Sequence, residues 1–324
     1  MVLLKTCAEP TTGSEVKRDN RARAAKAAAC LKRDYQLYLI LIPFLVYLAM
    51  FVYKPMYGLQ IAFKDYSLFK GIGGSPWNGL ENFKGFFTGP YFWSTFRNTL
   101  IISVYSLVFS FPFQIVLAIL FNELPFRRLK TVTQTFSYLP HFISAVVIAG
   151  MVTNFLSPSY GLVNLIIEKL GGEKKYFLTR PEYFRGIYTV MGIWTEAGFG
   201  SIIYLAALSG IDVQLYEAAR IDGAGKWKQI WNVTLPGLRP TIVIMLLTNL
   251  GNILNVGYET IILLYQPVTY ETADVISTYV YRLGLINGDY ATATAAGFFN
   301  SVAALILTVT ANRISRKISE ISLW

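Results

Sequence analysis

Long apolar stretches constrain this chain more than any other feature. Crossing the hydrocarbon core of a bilayer takes roughly 20 mostly apolar residues in helical form. Six stretches meet that need: residues 36–53, 99–121, 136–156, 187–208, 241–264 and 291–311. Away from water, backbone N–H and C=O groups must bond to one another, which leaves helices and closed barrels as the spanning structures. Runs this long select helices. The expected fold class is therefore an all-α integral membrane protein with six transmembrane helices. Composition agrees, because only 15% of the 324 residues are charged and 54% are hydrophobic, against about 25% charged in ordinary soluble domains. The fourth stretch is interrupted by "WTEAGFG", which sets Glu196 among glycines. The fifth carries several Asn and a Glu, so neither reads as facing lipid all round.

The chemistry open to such a chain is narrow. His141 is the single histidine, and the two cysteines, Cys7 and Cys30, precede the first apolar stretch. That excludes a disulfide framework and a multi-His or Cys/His metal site. His141 follows Pro140 at the start of the third span and reads as a helix-entry or packing residue, since no carboxylate partner for a proton relay is identifiable from the sequence. The first span is not a cleaved signal, because "FVYKPMYG" follows it where small residues are needed.

Residues 1–34 form a basic N-terminal arm holding Lys17, Arg18, Arg21, Arg23, Lys26, Lys32 and Arg33, with a short amphipathic helix over 22–31 as one option. Residues 35–324 form the six-span domain. Lys and Arg are more frequent on the side that carries this arm, so both termini are expected in the cytoplasm. The net charge of +10 is then a topology signal with an attraction to anionic lipid, and nucleic acid is excluded as a partner.

The cytoplasmic loop 209–240 holds a polar block, "LYEAARIDGAGKWKQIWNVTLPGLRP". Its Gly-Ala-Gly-Lys is no phosphate loop. That motif needs Gly, four residues, then Gly-Lys-Ser/Thr, and here Arg220 and Trp227 occupy the first and last of those places. Two short helices joined by a turn fit better. Ile211, Leu215, Ala218 and Ala219 share one face at helical spacing, and Trp227, Ile230, Trp231 and Thr234 share another. Asp222-Gly223-Ala224-Gly225 makes the turn, and Pro236 is expected to end the unit. A helical hairpin with an apolar face on this side of the membrane suits docking into a groove of a partner.

"EAARIDGAGKWKQIWNVTLP" resembles the EAA loop of permease subunits of ATP-binding-cassette importers. Glu217, Ala218, Ala219, Asp222, Gly223, Ala224, Leu235 and Pro236 match the family pattern, with Trp231 where Phe is more usual. "PMYGLQIAFKDYSLFKGIGGSPWNGLENFKGFF", "SYLPHFISAVVIAGMVTNFLSPSYGLVN" and "LYQPVTYETADVISTYVYRLGL" resemble carbohydrate importer permeases for polysaccharide-derived oligosaccharides, among them those of the alginate-oligosaccharide importer. The resemblance implies a type I importer permease architecture in a bacterial inner membrane, with the loop as a coupling helix. It implies a second homologous permease subunit, two ATPase subunits that bind Mg-ATP, an extracytoplasmic solute-binding protein, and an oligosaccharide substrate of acidic, alginate-like kind. A neutral or other polysaccharide-derived oligosaccharide is the alternative substrate. This chain is then no enzyme and needs no cofactor of its own.

Polar residues within spans are costly in lipid and usually face a cavity or a partner helix. Asn249, Asn252, Asn255 and Glu259 follow at steps of three, three and four, which places them on one face of the fifth helix. Amide groups suit sugar hydroxyls, since both donate and accept, and Tyr258 reads either as a ring that stacks on a sugar or as a membrane-interface tyrosine. The stripe is either a substrate path or interhelical bonding. Glu196, with Gly198 and Gly200, marks either a gate or break in the helix or a structural hydrogen bond. An anionic substrate requires Glu196 and Glu259 to be protonated, paired or turned aside. Most aromatics of the outer loops, from Tyr66 to Trp93, are expected in the headgroup belt, with a docking surface for an extracytoplasmic binding protein as the alternative for some of them. A secondary transporter would need paired broken spans in two repeated halves, and a membrane sensor would need a soluble signalling domain. Neither gives the EAA-like loop a role.

Overall fold

The computed structural model describes residues 34–319 and Ser322. The expected basic arm lies outside the described residues except for Asp34, and so do Cys7 and Cys30. Residues up to Gln60 and residues from Ile61 onward form two compact units. In the first, helix α1 (Tyr35–Tyr47) continues through wider turns at Leu48–Tyr53 into Lys54–Met56. The apolar helical run Tyr35–Phe63 is long enough to cross a membrane.

The second unit is helical throughout its main elements: α2 (Glu81–Thr88), α3 (Phe92–Glu123), α4 (Arg127–Phe142), α5 (Ala145–Phe155), α6 (Pro181–Ser209), α7 (Val213–Ile221), α8 (Lys226–Gly251), α9 (Tyr258–Leu264), α10 (Ile276–Tyr281) and α11 (Tyr290–Ser319). Among the described residues five helices are long and apolar enough to cross a membrane, and a sixth span is the bent pair α4–α5. The third expected span is thus no straight rod. Its halves meet at 102°, at Ile143 and Ser144, where Pro140 starts a tight turn and Ser144 caps α5 by accepting from the Val147 N–H.

In lipid, helices gain little from burying apolar surface against each other, so close packing must hold them. Helix α6 is the axis of that packing. One cluster joins its Phe184 and Met191 to Ile102 of α3, Ile148 of α5 and Ile261 of α9. A second joins Tyr204 and Leu208 to Phe111 and Ile115 of α3 and Leu238 of α8. Gly198 and Gly200 do not break α6, which runs unbroken for 29 residues. They are contact points instead: a Cβ on Gly198 would collide with the Ser137 carbonyl of α4, and one on Gly200 with the Gln114 side chain of α3. Small residues at such crossings let backbones approach.

The outer aromatics divide into two groups. Phe86 of α2 and Phe92 of α3 are buried with Ala296 of α11, packed by Phe96 and Phe299. Phe63 and Phe83 each meet Phe298 edge-on and lie tilted against one another. These rings form a core, because short loops fold them back onto the start of α11. Phe69, Trp77, Tyr91 and Trp93 stay exposed, as expected of interface residues.

A polar lock holds residues 271–282 against α3 and α6. Asn98 donates to the carbonyls of Glu271 (2.9 Å) and Asp274 (3.0 Å) and accepts from Arg185 (2.8 Å). The buried Asp274 carboxylate takes two bonds from Arg282, at 2.6 and 3.1 Å, and one from Thr278. Burial alone would lower the Arg282 pKa, but the Asp274 carboxylate outweighs it and holds the guanidinium above its ordinary value. Removing one member of such a pair leaves a buried charge uncompensated. Asp274→Ala is expected to cost about 3 kcal/mol, read as a lower melting temperature of the purified protein in detergent. An unchanged melting curve would remove this lock from the account.

Candidate functional site

The polar block folds as a hairpin whose turn is closed by its own motif residues. Asp212 caps α7, its carboxylate accepting from the Gln214 N–H at 2.9 Å. At the other end Gly223 takes φ +74°. The Ala224 N–H bonds to the Ala219 carbonyl (2.8 Å) and the Gly223 N–H to the Arg220 carbonyl (3.0 Å). This paired pattern is the Schellman termination, which needs a left-handed residue at the Gly223 position. The buried Gln229 then donates to the Ala224 carbonyl at 2.7 Å, locking turn to second helix. Tyr216 and Thr234 share a 3.0 Å bond between α7 and α8, and Lys226 reaches Glu123 at the end of α3, 2.6 Å away.

Pro236 does not end the unit. The second helix of the hairpin and the fifth span are one element, α8, running from Lys226 to Gly251. Wide turns over Ile230–Thr234 precede Pro236. A proline has no N–H to give and crowds the carbonyl four residues back. A local widening relieves both, which is a recognised use of such turns. The apolar stripes also differ from expectation. Leu215 and Ala218 are exposed, as are Trp227 and Trp231, while Tyr216, Gln229, Thr234 and Leu238 face the chain's interior. Val213, Leu215, Ile221, Trp227 and Trp231 thereby give the hairpin an apolar outer surface. Glu217, Asp222 and Gly223 are exposed beside it, Ala219 and Ala224 are half-buried, and Pro236 is exposed. Leu235 packs against the Phe111–Tyr204–Leu238 cluster.

At the far end of α8 the helix stops at Gly251, and residues 252–257 are unwound before α9 begins. The four polar residues of the fifth stretch therefore do not share one helix face. Asn249 and Asn252 donate to carbonyls of their own helix, at Met245 (2.8 Å) and Thr248 (3.3 Å). Asn255, in the unwound part, meets the Asn300 amide of α11 at 3.4 Å. The freed backbone carbonyls are taken up by side chains: Ser103 donates to Ile253, Asn300 to Leu254 and Ser277 to Val256.

This unwound segment borders a cavity of about 500 Å³ between α3, α6, α8 and the α4–α5 corner. Asn249, Asn252, Asn255 and Glu196 all line it. So do Ser103, Ser106, Ser110, Gln114, Thr189 and Thr195, isolated polar residues on otherwise apolar helices that the sequence did not single out. Tyr258 and Glu259 are not among its lining residues. Tyr258 stacks on Tyr281, ring centres 6.2 Å apart, and Glu259 is exposed in the first turn of α9. Glu196 is paired: its Oε2 lies 3.1 Å from His141 Nδ1. His141 is therefore more than a packing residue, and its partner lies 55 positions along the chain. Apart from the Glu196–His141 pair, the polar side chains of the wall are neutral donors and acceptors, which suits a hydroxyl-rich solute.

Residues 81–320 match the family model described as binding-protein-dependent transport system inner membrane component. The chain is 42% identical over 296 residues to Protein LplB of Bacillus subtilis (strain 168), covering 91% of this chain and 93% of that relative. It is 43% identical over 284 residues to the polygalacturonan/rhamnogalacturonan transport system permease protein YteP of the same organism, covering 88% of each. It is also similar to a chain in the crystal structure of a bacterial ABC transporter involved in the import of the acidic polysaccharide alginate. That likeness has a TM-score of 0.84 and 49% identity over 91% of this chain and 99% of the other. A bacterial alginate ABC transporter in complex with alginate pentasaccharide-bound periplasmic protein matches to the same degree.

The hairpin geometry makes one residue directly testable. A Cβ on Gly223 would meet nothing within 4 Å, so Gly223→Ala isolates the strain of the left-handed turn. It should cost about 1 kcal/mol locally, read as faster amide exchange across 213–225. Exchange equal to wild type would show that the turn does not depend on glycine.

Proposed function

The chain belongs to the family of binding-protein-dependent transport system inner membrane components, and from that premise we propose that it is one permease subunit of an ATP-driven importer of acidic, alginate-like oligosaccharides. It pairs with a second homologous permease, and the two complete the translocation path. Two ATPase subunits bind Mg-ATP on the cytoplasmic side, an extracytoplasmic solute-binding protein delivers the sugar, and both termini of this chain lie in the cytoplasm. Hydrolysis belongs to the partner chains, and this subunit carries no reaction step.

The observation that carries the reading is the continuity of α8. One end bears Trp227 and Trp231 on the exposed hairpin, and the other bears Asn249 on the cavity wall. A helix of 26 residues spans about 39 Å at 1.5 Å per residue. A partner that grips the hairpin thereby acts on the cavity through a single continuous helix. Work reaches the path only if the partner binds one arrangement of the subunit better than the other. Val213, Leu215, Ile221 and the two tryptophans supply apolar contact, Glu217 a charge for a basic residue opposite, and the Gly223 turn the shape. The acidic substrate class is supported by the likeness to the alginate transporter and to the polygalacturonan/rhamnogalacturonan permease.

The test is reconstitution of the full complex in proteoliposomes with binding protein and uronate oligosaccharides. Glu217→Ala should lower substrate-stimulated ATP hydrolysis and uptake on the order of tenfold, with the subunit still present in the membrane. Normal values for both would overturn the coupling role of the hairpin. Asn252→Leu removes a polar group from the wall and should lower uptake more than assembly. Unchanged uptake of every oligosaccharide tried would remove Asn252 from the path.

A further inference from the structure

Within the cavity one contact has no place in a wall of neutral hydroxyls and amides. Glu196 is the one acidic side chain among the described residues that line it, and none of those residues is Lys or Arg. Its side chain is 55% exposed, so the carboxylate faces the open space. His141 Nδ1 meets its Oε2 at 3.1 Å.

Two further contacts set the imidazole. Its ring lies flat on Phe199, centroids 4.0 Å apart and planes 3° from parallel, while Phe142 meets it edge-on at 5.5 Å. Phe199 stands three residues after Glu196 on α6, so one helix face offers both the acceptor and the platform. The ring comes from the turn Leu139–Phe142 at the α4–α5 corner. The sharp bend of that span places it over the cavity. The ring is therefore aimed by a stack, a bond and a bend.

We infer that His141 is a positioning and charge-masking residue for substrate selection: by binding the Glu196 carboxylate it lets an anionic oligosaccharide pass a site that would otherwise repel it. A carboxylate that is ionised can only accept hydrogen bonds, so in the 3.1 Å contact His141 Nδ1 is the donor and takes up the oxygen that would otherwise face the substrate. With His141 absent, Glu196 presents a bare negative charge in a partly desolvated space, where like charges a few ångströms apart repel strongly. A neutral sugar would pass either way and could even use the free carboxylate as an acceptor. The pair therefore sets the balance between acidic and neutral sugars. This inference rests on the proposed acidic substrate class.

The test uses the complete reconstituted complex and two probes, a uronate oligosaccharide and its methyl ester, which has the same skeleton without the charge. His141→Ala should lower uptake of the uronate about tenfold or more relative to the ester. His141→Gln, which keeps a donor, should lose less. Glu196→Gln in the His141→Ala background should restore uronate uptake, because it removes the exposed charge. A merely structural corner predicts equal losses for both probes and no rescue, and that result would overturn the inference. So would uronate uptake by His141→Ala equal to wild type. If the wild-type complex moves no uronate oligosaccharide, the substrate class itself fails and takes this inference with it.

Discussion

Inside a bilayer a backbone N–H or C=O has no water to turn to, and this rule shapes the molecule from end to end. Most of the described chain obeys it by staying helical. Even its Ser and Thr side chains comply, as Thr99, Thr189 and Thr308 donate to the carbonyl four residues back. Irregular backbone at the cavity, residues 252–257, exists only because Ser103, Ser277 and Asn300 reach its carbonyls from three other elements. Such a break is tolerated where it is buried in protein or lines an aqueous space, and it is the cavity that it lines. Around the cavity the polar residues thus fall into two sets: those that satisfy the broken backbone of 252–257, and those left to face the open space.

The same economy of contacts explains why α6 is central. It cannot gain much from burying leucines against leucines in lipid, so it gains from proximity. Gly198 brings α4 against it and Gly200 brings the Gln114 side chain of α3. Arg185, nearer its other end, joins the polar lock through Asn98 to the 271–282 segment. Between these two anchors α6 presents Thr189, Gly192, Thr195 and Glu196 to the cavity. On α6, position and chemistry come from one helix, while the opposite wall is the unwound segment 252–257.

Much of this was legible in the sequence, and the parts that were not share a physical reason. The spans were visible because length and apolarity are local properties. The hairpin was visible because a Schellman turn needs glycine at one place, and Gly223 stands there between Asp222 and Ala224. Three of the features that were missed show it. Pro236 read as a terminator because a proline normally stops a helix, but the wide turns before it absorb the missing donor. Asn249, Asn252, Asn255 and Glu259 read as one stripe because their spacing is helical, but the helix ends at Gly251 and only the first three reach the cavity. His141 read as packing because its partner, Glu196, lies 55 residues away. Spacing reports neighbours along an element. A pair formed by a 102° bend in one span and a face of another leaves no periodic trace.

How force crosses such a molecule follows from where it is rigid. On the proposed reading the hairpin receives the partner's motion, and α8 carries it to the cavity. Near the hairpin, Tyr216–Thr234 and Gln229–Ala224 make α7 and α8 one piece, and Lys226 ties that piece to Glu123 at the end of α3. At the cavity, α8 gives way to the unwound segment held by α3, α10 and α11. A stiff helix ending in a short irregular strap can tilt without dragging α9 rigidly behind it. Such tilting would move Asn249 relative to Glu196, which sits on α6 across the cavity. On that reading the break at 252–257 has two reasons for its place: it lines the cavity, and it lets α8 move without α9 moving with it.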